Sequence, residues 1–321
     1  MRILVVGAGV IGTIYGWALS QAGHEVTHLV RSGRAARFAG GVALDVLDKR
    51  KGRSDDANVR YRIAVSETVE AADLVIVPTK PYQLLDTLRQ LAPELQPHAT
   101  VLLLTQNWHG TADIDRVLPR DRYLFGDAQA GGTWVGDTLV CAIFPRIVLG
   151  RVGGGRDEEL ERVAALFAGA GIEPVIPQDV LHSIWIQYAT NAGLWPPMVR
   201  AGSLSGLLHD RALGNASLLA AAECLRVLAA RGVDLRRYPE AKLFLRTSSP
   251  LGRAVAGMAM RALFRFNKAV VRTSAHALAD PREIAAAYAD LVTSARELGI
   301  AMPVMASFEE DIRAFAGLMQ R

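Results

Sequence analysis

Cysteine is nearly absent from this 321-residue chain: Cys141 and Cys224 are the only two. That excludes a disulfide-built scaffold and a thiolate metal cluster, and no metal site is expected. Aromatic residues are sparse, with five Trp, seven Tyr and nine Phe, so the core must be mainly aliphatic. No uninterrupted apolar run approaches the roughly 18 residues that cross a bilayer. A leader is not evident, because a strand-like run starts at residue 3. A cytoplasmic location without an integral membrane segment is therefore expected. Charge of one sign is lacking too. The 36 basic and 32 acidic residues leave a net +4, too mild to imply a nucleic-acid partner. Half the residues are hydrophobic and 21% are charged, which is the make-up of a folded chain. The length fits two domains at roughly 100–200 residues each.

The first thirty residues carry the strongest signal. Ile3-Leu4-Val5-Val6 reads as a buried strand, Gly7-Ala8-Gly9-Val10-Ile11-Gly12 follows at once, and Thr13 to Gln21 reads as a helix closed by Gly23. His24 to Val30 is a second strand. A GxGxxG turn between strand and helix predicts a Rossmann-type dinucleotide-binding domain. Gly7 permits the tight turn, Gly9 admits a pyrophosphate, and Gly12 lets helix and strand pack closely. The helix N-terminus, at Val10 and Ile11, offers free N–H groups to the phosphate.

The end of the second strand selects the dinucleotide. An NAD site usually places Asp or Glu there for the ribose 2′-hydroxyl. Here Leu29-Val30 runs into Arg31-Ser32-Gly33-Arg34 with no acid. Arg31 is placed to pair a 2′-phosphate, with Ser32 and Arg34 as helpers, so NADP(H) is the expected cofactor. A solvated basic loop is the alternative.

Strands are expected at Val42–Leu47, Val59–Val65, Asp73–Val77 and Thr100–Leu104, with a polar, exposed turn from Asp48 to Asn58. A helix is expected at Tyr82–Leu91. Lys80 and Asn107 fall just past two strand ends, where an open parallel sheet binds ligands. A surface lysine and a loop-capping asparagine are the plainer readings. Antiparallel strands are expected from Phe125 to Pro145, a strand at Arg146–Gly150, a helix from Asp157 to Ala170 and a last strand at Ile172–Ile176. Pro177 marks the boundary, giving a nucleotide domain of 1–177 and an all-α domain of 178–321.

In the second half, helices are expected at Asp179–Leu194, ended by Pro196-Pro197, at Arg211–Ala230, from Asp280-Pro281 to Gly299, and at Met305–Met319. Seven basic residues and no acid lie between Ala241 and Ala279. Arg261, Arg265, Lys268 and Arg272 recur on one helical face, with Ala259, Leu263, Phe266 and Val270 opposite. The choices are a solvated face, a site for an anionic substrate or acidic partner, or contact with anionic lipid.

In their order, GAGVIGTIYG, Arg31, VIVPTK ending in Lys80, LLLTQN ending in Asn107, DVLHSIWIQYATNA and REIAAAYADLVTSARELGIAMP resemble the ketopantoate reductase (2-dehydropantoate 2-reductase) family over most of the chain. The resemblance implies that Gly7, Gly9, Gly12 and Arg31 hold NADP and that Lys80 and Asn107 line the nicotinamide side. It places Asn191 against a small substrate and Glu283 across from it. Glu283 also fits a capping box begun by Asp280. The family's general-acid lysine, two residues after its Trp, corresponds here to Gln187. A neutral amide donates a hydrogen bond but delivers no proton at neutral pH. Gln187 and Asn191, spaced i, i+4, share a helix face. Lys80, Tyr188, Glu283 and His276 are the candidate replacements. Trp108 and Trp195 stand where the family has Gly and Asn, and are pocket-shaping or packing residues. The expected activity is NADPH-dependent reduction of a C=O or C=N bond in a small, anionic substrate such as a 2-oxo acid. The alternatives are a non-catalytic NADP(H)-binding sensor or accessory protein. A homodimer is an open expectation.

Overall fold

β-Branching at residues 3–6 produces the first strand, and a glycine at 7 ends it. The computed structural model describes residues 1–52, 57–274 and 278–317, and the chain divides into two compact units, Met1–Leu181 and His182–Arg321.

The amino-terminal unit runs β1 (Arg2–Val6), α1 (Val10–Gln21), β2 (Glu25–Leu29), β3 (Val42–Asp48), β4 (Ala57–Tyr61), β5 (Ala64–Ser66) and β6 (Leu74–Val77). It continues through α2 (Pro81–Leu91), β7 (Thr100–Leu103), α3 (Ala112–Asp115), β8 (Tyr123–Asp127), β9 (Ala130–Val135) and β10 (Thr138–Ile143). The last elements are β11 (Arg146–Gly150), α4 (Glu158–Gly169) and β12 (Glu173–Val175). Eight strands form one sheet in the order β12-β11-β8-β7-β6-β1-β2-β5. From β5 to β8 neighbours are parallel, whereas β11 is antiparallel to β8. The chain leaves β1 toward β2 on one side and returns to β6 on the other. That is a topological switch point, where open α/β sheets bind ligands outside the strand carboxyl ends. A second sheet, β4-β3-β10-β9, holds the β9–β10 hairpin, whose turn uses Gly136 at φ 58°.

The segment Val59–Val65, expected as one strand, is two. β4 pairs with β3 in the small sheet, while β5 pairs with β2 in the large one. The expected exposed turn after β3 is also wrong at its start. Asp48 and Arg50 are buried, and the Arg50 guanidinium meets Asp48 Oδ2 at 2.8 Å. It also donates to Gln21 Oε1 at 2.8 Å and to the carbonyls of Ala18 and Ala170 at 3.3 and 3.2 Å, and lies over the Trp17 ring. A cation at this depth is tolerated because acceptors surround it. Residues 53–56 of that turn lie outside the described residues.

The second unit contains α5 (Val180–Ala201), whose first turn spans the division, then α6 (Leu204–His209), α7 (Arg211–Ala230), α8 (Pro239–Leu245) and α9 (Pro250–Phe266). It ends with α10 (Lys268–Ser274), α11 (Pro281–Glu297), α12 (Pro303–Ala306) and α13 (Glu309–Gly317). Pro196 and Pro197 do not end α5; both lie inside it. Residues 195–198 are all buried, so packing overrides the local preference against proline. The expected final helix is broken into α12 and α13, and its far end at 318–319 lies outside the described residues.

Among the described residues α7 is the one helix long and apolar enough, by composition, to cross a membrane, which an unbroken-run criterion missed. Just over half of its apolar window is buried within the structure. It carries the buried Glu223, whose carboxylate accepts the N–H groups of Val304 and Met305 at 3.1 and 2.9 Å. These are the features of a core helix.

The face of α9 is a further correction. Ala256 and Gly257 are its buried residues, while Leu251, Val255, Met258, Leu263 and Phe266 are exposed beside Arg265. The apolar residues expected opposite the basic stripe thus include three, Ala259, Leu263 and Phe266, that face solvent.

Candidate functional site

The glycine turn is shaped by its backbone. Gly7 has φ 90°, a region that L side chains rarely adopt. Its N–H donates to the Leu29 carbonyl at 2.8 Å, and its own carbonyl lies 2.9 Å from His28 Nδ1. His28 is wholly buried, and its Nε2 lies 3.2 Å from the Tyr61 hydroxyl. Burial pushes this imidazole down to about 4. The neutral ring satisfies both contacts, with Nδ1–H donating to Gly7 and Nε2 accepting from Tyr61.

Gly9 stands at the N-cap of α1, and a Cβ added there would meet nothing within 4 Å. A Cβ on Gly12 would lie 3.0 Å from Val5 Cγ1, 3.1 Å from the Gly7 carbonyl oxygen and 3.2 Å from Pro78 Cγ. The first glycine is thus fixed by φ, the second leaves an open approach, and the third is fixed by packing. Among the described residues no side chain caps α1, and its first turn carries no acid. The N–H groups at Val10 and Ile11 therefore remain suited to an anion.

Parallel pairing of β1, β6 and β7 brings the residues after them to one edge of the sheet. Lys80 follows β6, half-buried, at the N-cap of α2. Asn107 follows β7 and is buried, with Nδ2 donating to the Gly110 carbonyl at 2.6 Å. Trp108 beside it is buried, as a packing residue would be. Two neighbours escaped sequence reasoning. Thr79 Oγ1 and Gln106 Oε1 are buried with no hydrogen-bond partner, as is Thr13 Oγ1 on α1. Orphaned acceptors of this kind are rare and costly. An uncapped helix start, an open glycine and unpaired oxygens after β6 and β7 fit a dinucleotide.

Arg31 is exposed just past β2. The absence of an acid in its own segment is offset by a neighbour: Glu67, after β5, accepts the Ala35 N–H at 3.0 Å. Sequence reasoning missed it because only the β2–β5 pairing brings the two segments together.

In the helical unit Gln187 and Asn191 lie one turn apart on α5, both half-buried. Between them the Tyr188 hydroxyl donates to Asp290 Oδ2 on α11 at 2.6 Å. Burial, then the Asp290 carboxylate, then the Glu283 charge push this phenol far above its usual range. Tyr188 is a tie between helices and a poor acid. Asp280 caps α11, its Oδ1 accepting the N–H groups of Arg282 and Glu283 at 3.1 and 3.3 Å. Glu283 is half-buried in that first turn. Trp195 is buried on α5. His276 lies outside the described residues. Among the described residues no group of three His, Cys, Asp or Glu side chains is placed to hold a metal ion.

Residues 3–151 match the family described as Ketopantoate reductase PanE/ApbA. The 2-dehydropantoate 2-reductase of Pyrococcus abyssi is 25% identical over 205 residues, covering 61% of this chain and 63% of the relative. The match therefore spans under two thirds of that relative's length. A PanE/ApbA family ketopantoate reductase from Ralstonia eutropha shares the fold at TM-score 0.75 and 20% identity, with all of both chains covered. D-mandelate dehydrogenase with NADH and anilino(oxo)acetate does so at TM-score 0.76 and 17% identity, again over all of both chains.

Proposed function

We propose, from the match of residues 3–151 to the ketopantoate reductase PanE/ApbA family, that this chain belongs to that family and is an NADP(H)-dependent oxidoreductase. Its proposed substrate is a small, anionic carbonyl or imine compound such as a 2-oxo acid, reduced in the cytoplasm. The observation that carries the reading is the shared sheet edge, where the glycine turn, Lys80 and Asn107 follow three adjacent parallel strands.

Bound NADPH supplies a hydride. Backbone N–H groups of Gly9, Val10, Ile11 and Gly12 would receive the pyrophosphate at the turn that Gly7 shapes, and Arg31 would receive the 2′-phosphate. Lys80 and Asn107 line the nicotinamide side. In the helical unit, Gln187 and Asn191 donate amide N–H groups to the substrate's carbonyl oxygen, stabilising the charge that develops there. Hydride addition to the carbonyl carbon would move the π pair to oxygen, which would take a proton. Lys80 or Glu283 would supply polarisation or the proton. Self-association as a homodimer belongs to the same reading and is checked by light scattering.

The test is loss of reduced-nicotinamide absorbance with a panel of 2-oxo acids, cyclic imines and aromatic ketones. Turnover of at least one supports the reading; tight NADPH binding with no turnover of any removes it. A second reading, a non-catalytic NADP(H) sensor or accessory protein, is favoured by one observation. Gln187 donates no proton, and Tyr188 beside it is held by Asp290.

A further inference from the structure

β2 and β5 run parallel, with Leu29 opposite Ser66 and the Val30 N–H donating to the Ser66 carbonyl at 2.8 Å. Each strand therefore delivers its next residues to the same corner of the sheet. One contributes the loop Arg31–Ala35 and the other contributes Glu67. A tight turn fixes how Glu67 leaves its strand: the Thr68 N–H donates to Ser66 Oγ at 3.2 Å, and that hydroxyl donates to the Thr68 carbonyl at 2.8 Å.

The loop is shaped to hold an anion. Gly33 has φ 75°, and the Arg34 N–H closes on the Arg31 carbonyl at 3.1 Å. Successive N–H groups around such a left-handed residue converge on a common concavity. The Glu67 carboxylate stands at its edge. The Ala35 N–H donates to Oε1 at 3.0 Å. That bond foremost, with the nearby Gly33 and Arg34 backbone dipoles and the Ser32 hydroxyl, holds this carboxyl below its ordinary range. Glu67 is exposed, and the Ala35 N–H ties it to the loop.

Carboxylate and phosphate take the same donors. The donors here belong to the segment that follows β2, where a Rossmann-type domain binds the adenine ribose. We propose that Glu67 sets the discrimination between NADPH and NADH: its carboxylate occupies the Ala35 N–H, at the loop that a 2′-phosphate would enter, and it offers an acceptor to a 2′-hydroxyl. This rests on the dinucleotide reading above. Two anions on one donor set repel, so NADPH binds with Glu67 displaced toward solvent, whereas NADH binds with it in place. The chain therefore accepts both dinucleotides, and its preference for the phosphorylated one is weaker than Arg31 alone would give.

The test is equilibrium binding of NADPH and NADH to the full chain and to its Glu67→Gln and Glu67→Ala variants, read by nicotinamide fluorescence at fixed ionic strength. Thermal melts establish that each variant is folded. In Glu67→Gln the Kd for NADPH falls roughly tenfold, about 1.4 kcal/mol, while that for NADH stays level or rises. In Glu67→Ala NADH weakens further, because the acceptor is gone. Both dinucleotides binding with the same Kd ratio in wild type and both variants overturns the proposal and leaves dinucleotide binding standing. NADPH binding with no binding of NADH overturns this proposal alone, and failure of both dinucleotides to bind the wild-type chain overturns the underlying reading and this proposal with it.

Discussion

The glycine turn after β1 and the α5 face that carries Gln187 and Asn191 earn their proposed roles differently. At the turn, recognition is a property of the backbone. Gly7 is held by φ and by two hydrogen bonds, Gly12 is held by packing, and the groups offered to a ligand are N–H groups. On α5 the helix satisfies its own backbone, so recognition falls to side chains alone. Side chains are exchanged more easily than backbone turns. A chain can therefore retain a dinucleotide site while its chemistry moves.

That contrast is breakable. The largest expected effect concerns His28, which supports the glycine turn from inside the core. Its imidazole is depressed to about 4, so between about 6.5 and 4 the unfolded chain binds a proton that the folded chain does not. Stability then falls as pH drops through that window, by on the order of 3 kcal/mol in all. Urea unfolding at a series of pH values measures it, and His28→Gln should flatten the dependence. Next is Gly12→Ala. Its new methyl would press on Val5, on the Gly7 carbonyl and on Pro78, at a cost of about 2 kcal/mol. Urea melts should show that loss of stability, and titration should show weaker NADPH binding as pressure on the Gly7 carbonyl displaces the turn.

The smallest effect distinguishes the helical face. Tyr188→Phe leaves Asp290 without its 2.6 Å donor and should cost about 1.5 kcal/mol of folding stability. The Kd for NADPH should not change. Denaturant melts and a parallel titration separate the two; a large loss of cofactor binding would blur the contrast.

Legibility in the sequence follows the same division. The glycine turn, the strands β1, β2, β6 and β7, and Lys80 and Asn107 past their strand ends could all be read, because short-range pattern and chain order determine them. Glu67 could not. Its role depends on β5 pairing with β2 after a break at Arg62-Ile63 that sends β4 to another sheet. His28 alternates correctly as a strand residue, but nothing local tells that its ring reaches the Gly7 carbonyl. Pro196 and Pro197 misled because their burial outweighs their local preference. The exposed side of α9 misled because an amphipathic pattern gives two faces and does not say which one is covered. Thr79 and Gln106 became notable only once their oxygens proved to be buried without partners.

The most direct measurement is titration calorimetry of the intact chain with NADPH and with NADH. The account predicts one saturable site for each, the two competing with one another. No heat and no competition for either nucleotide would contradict it.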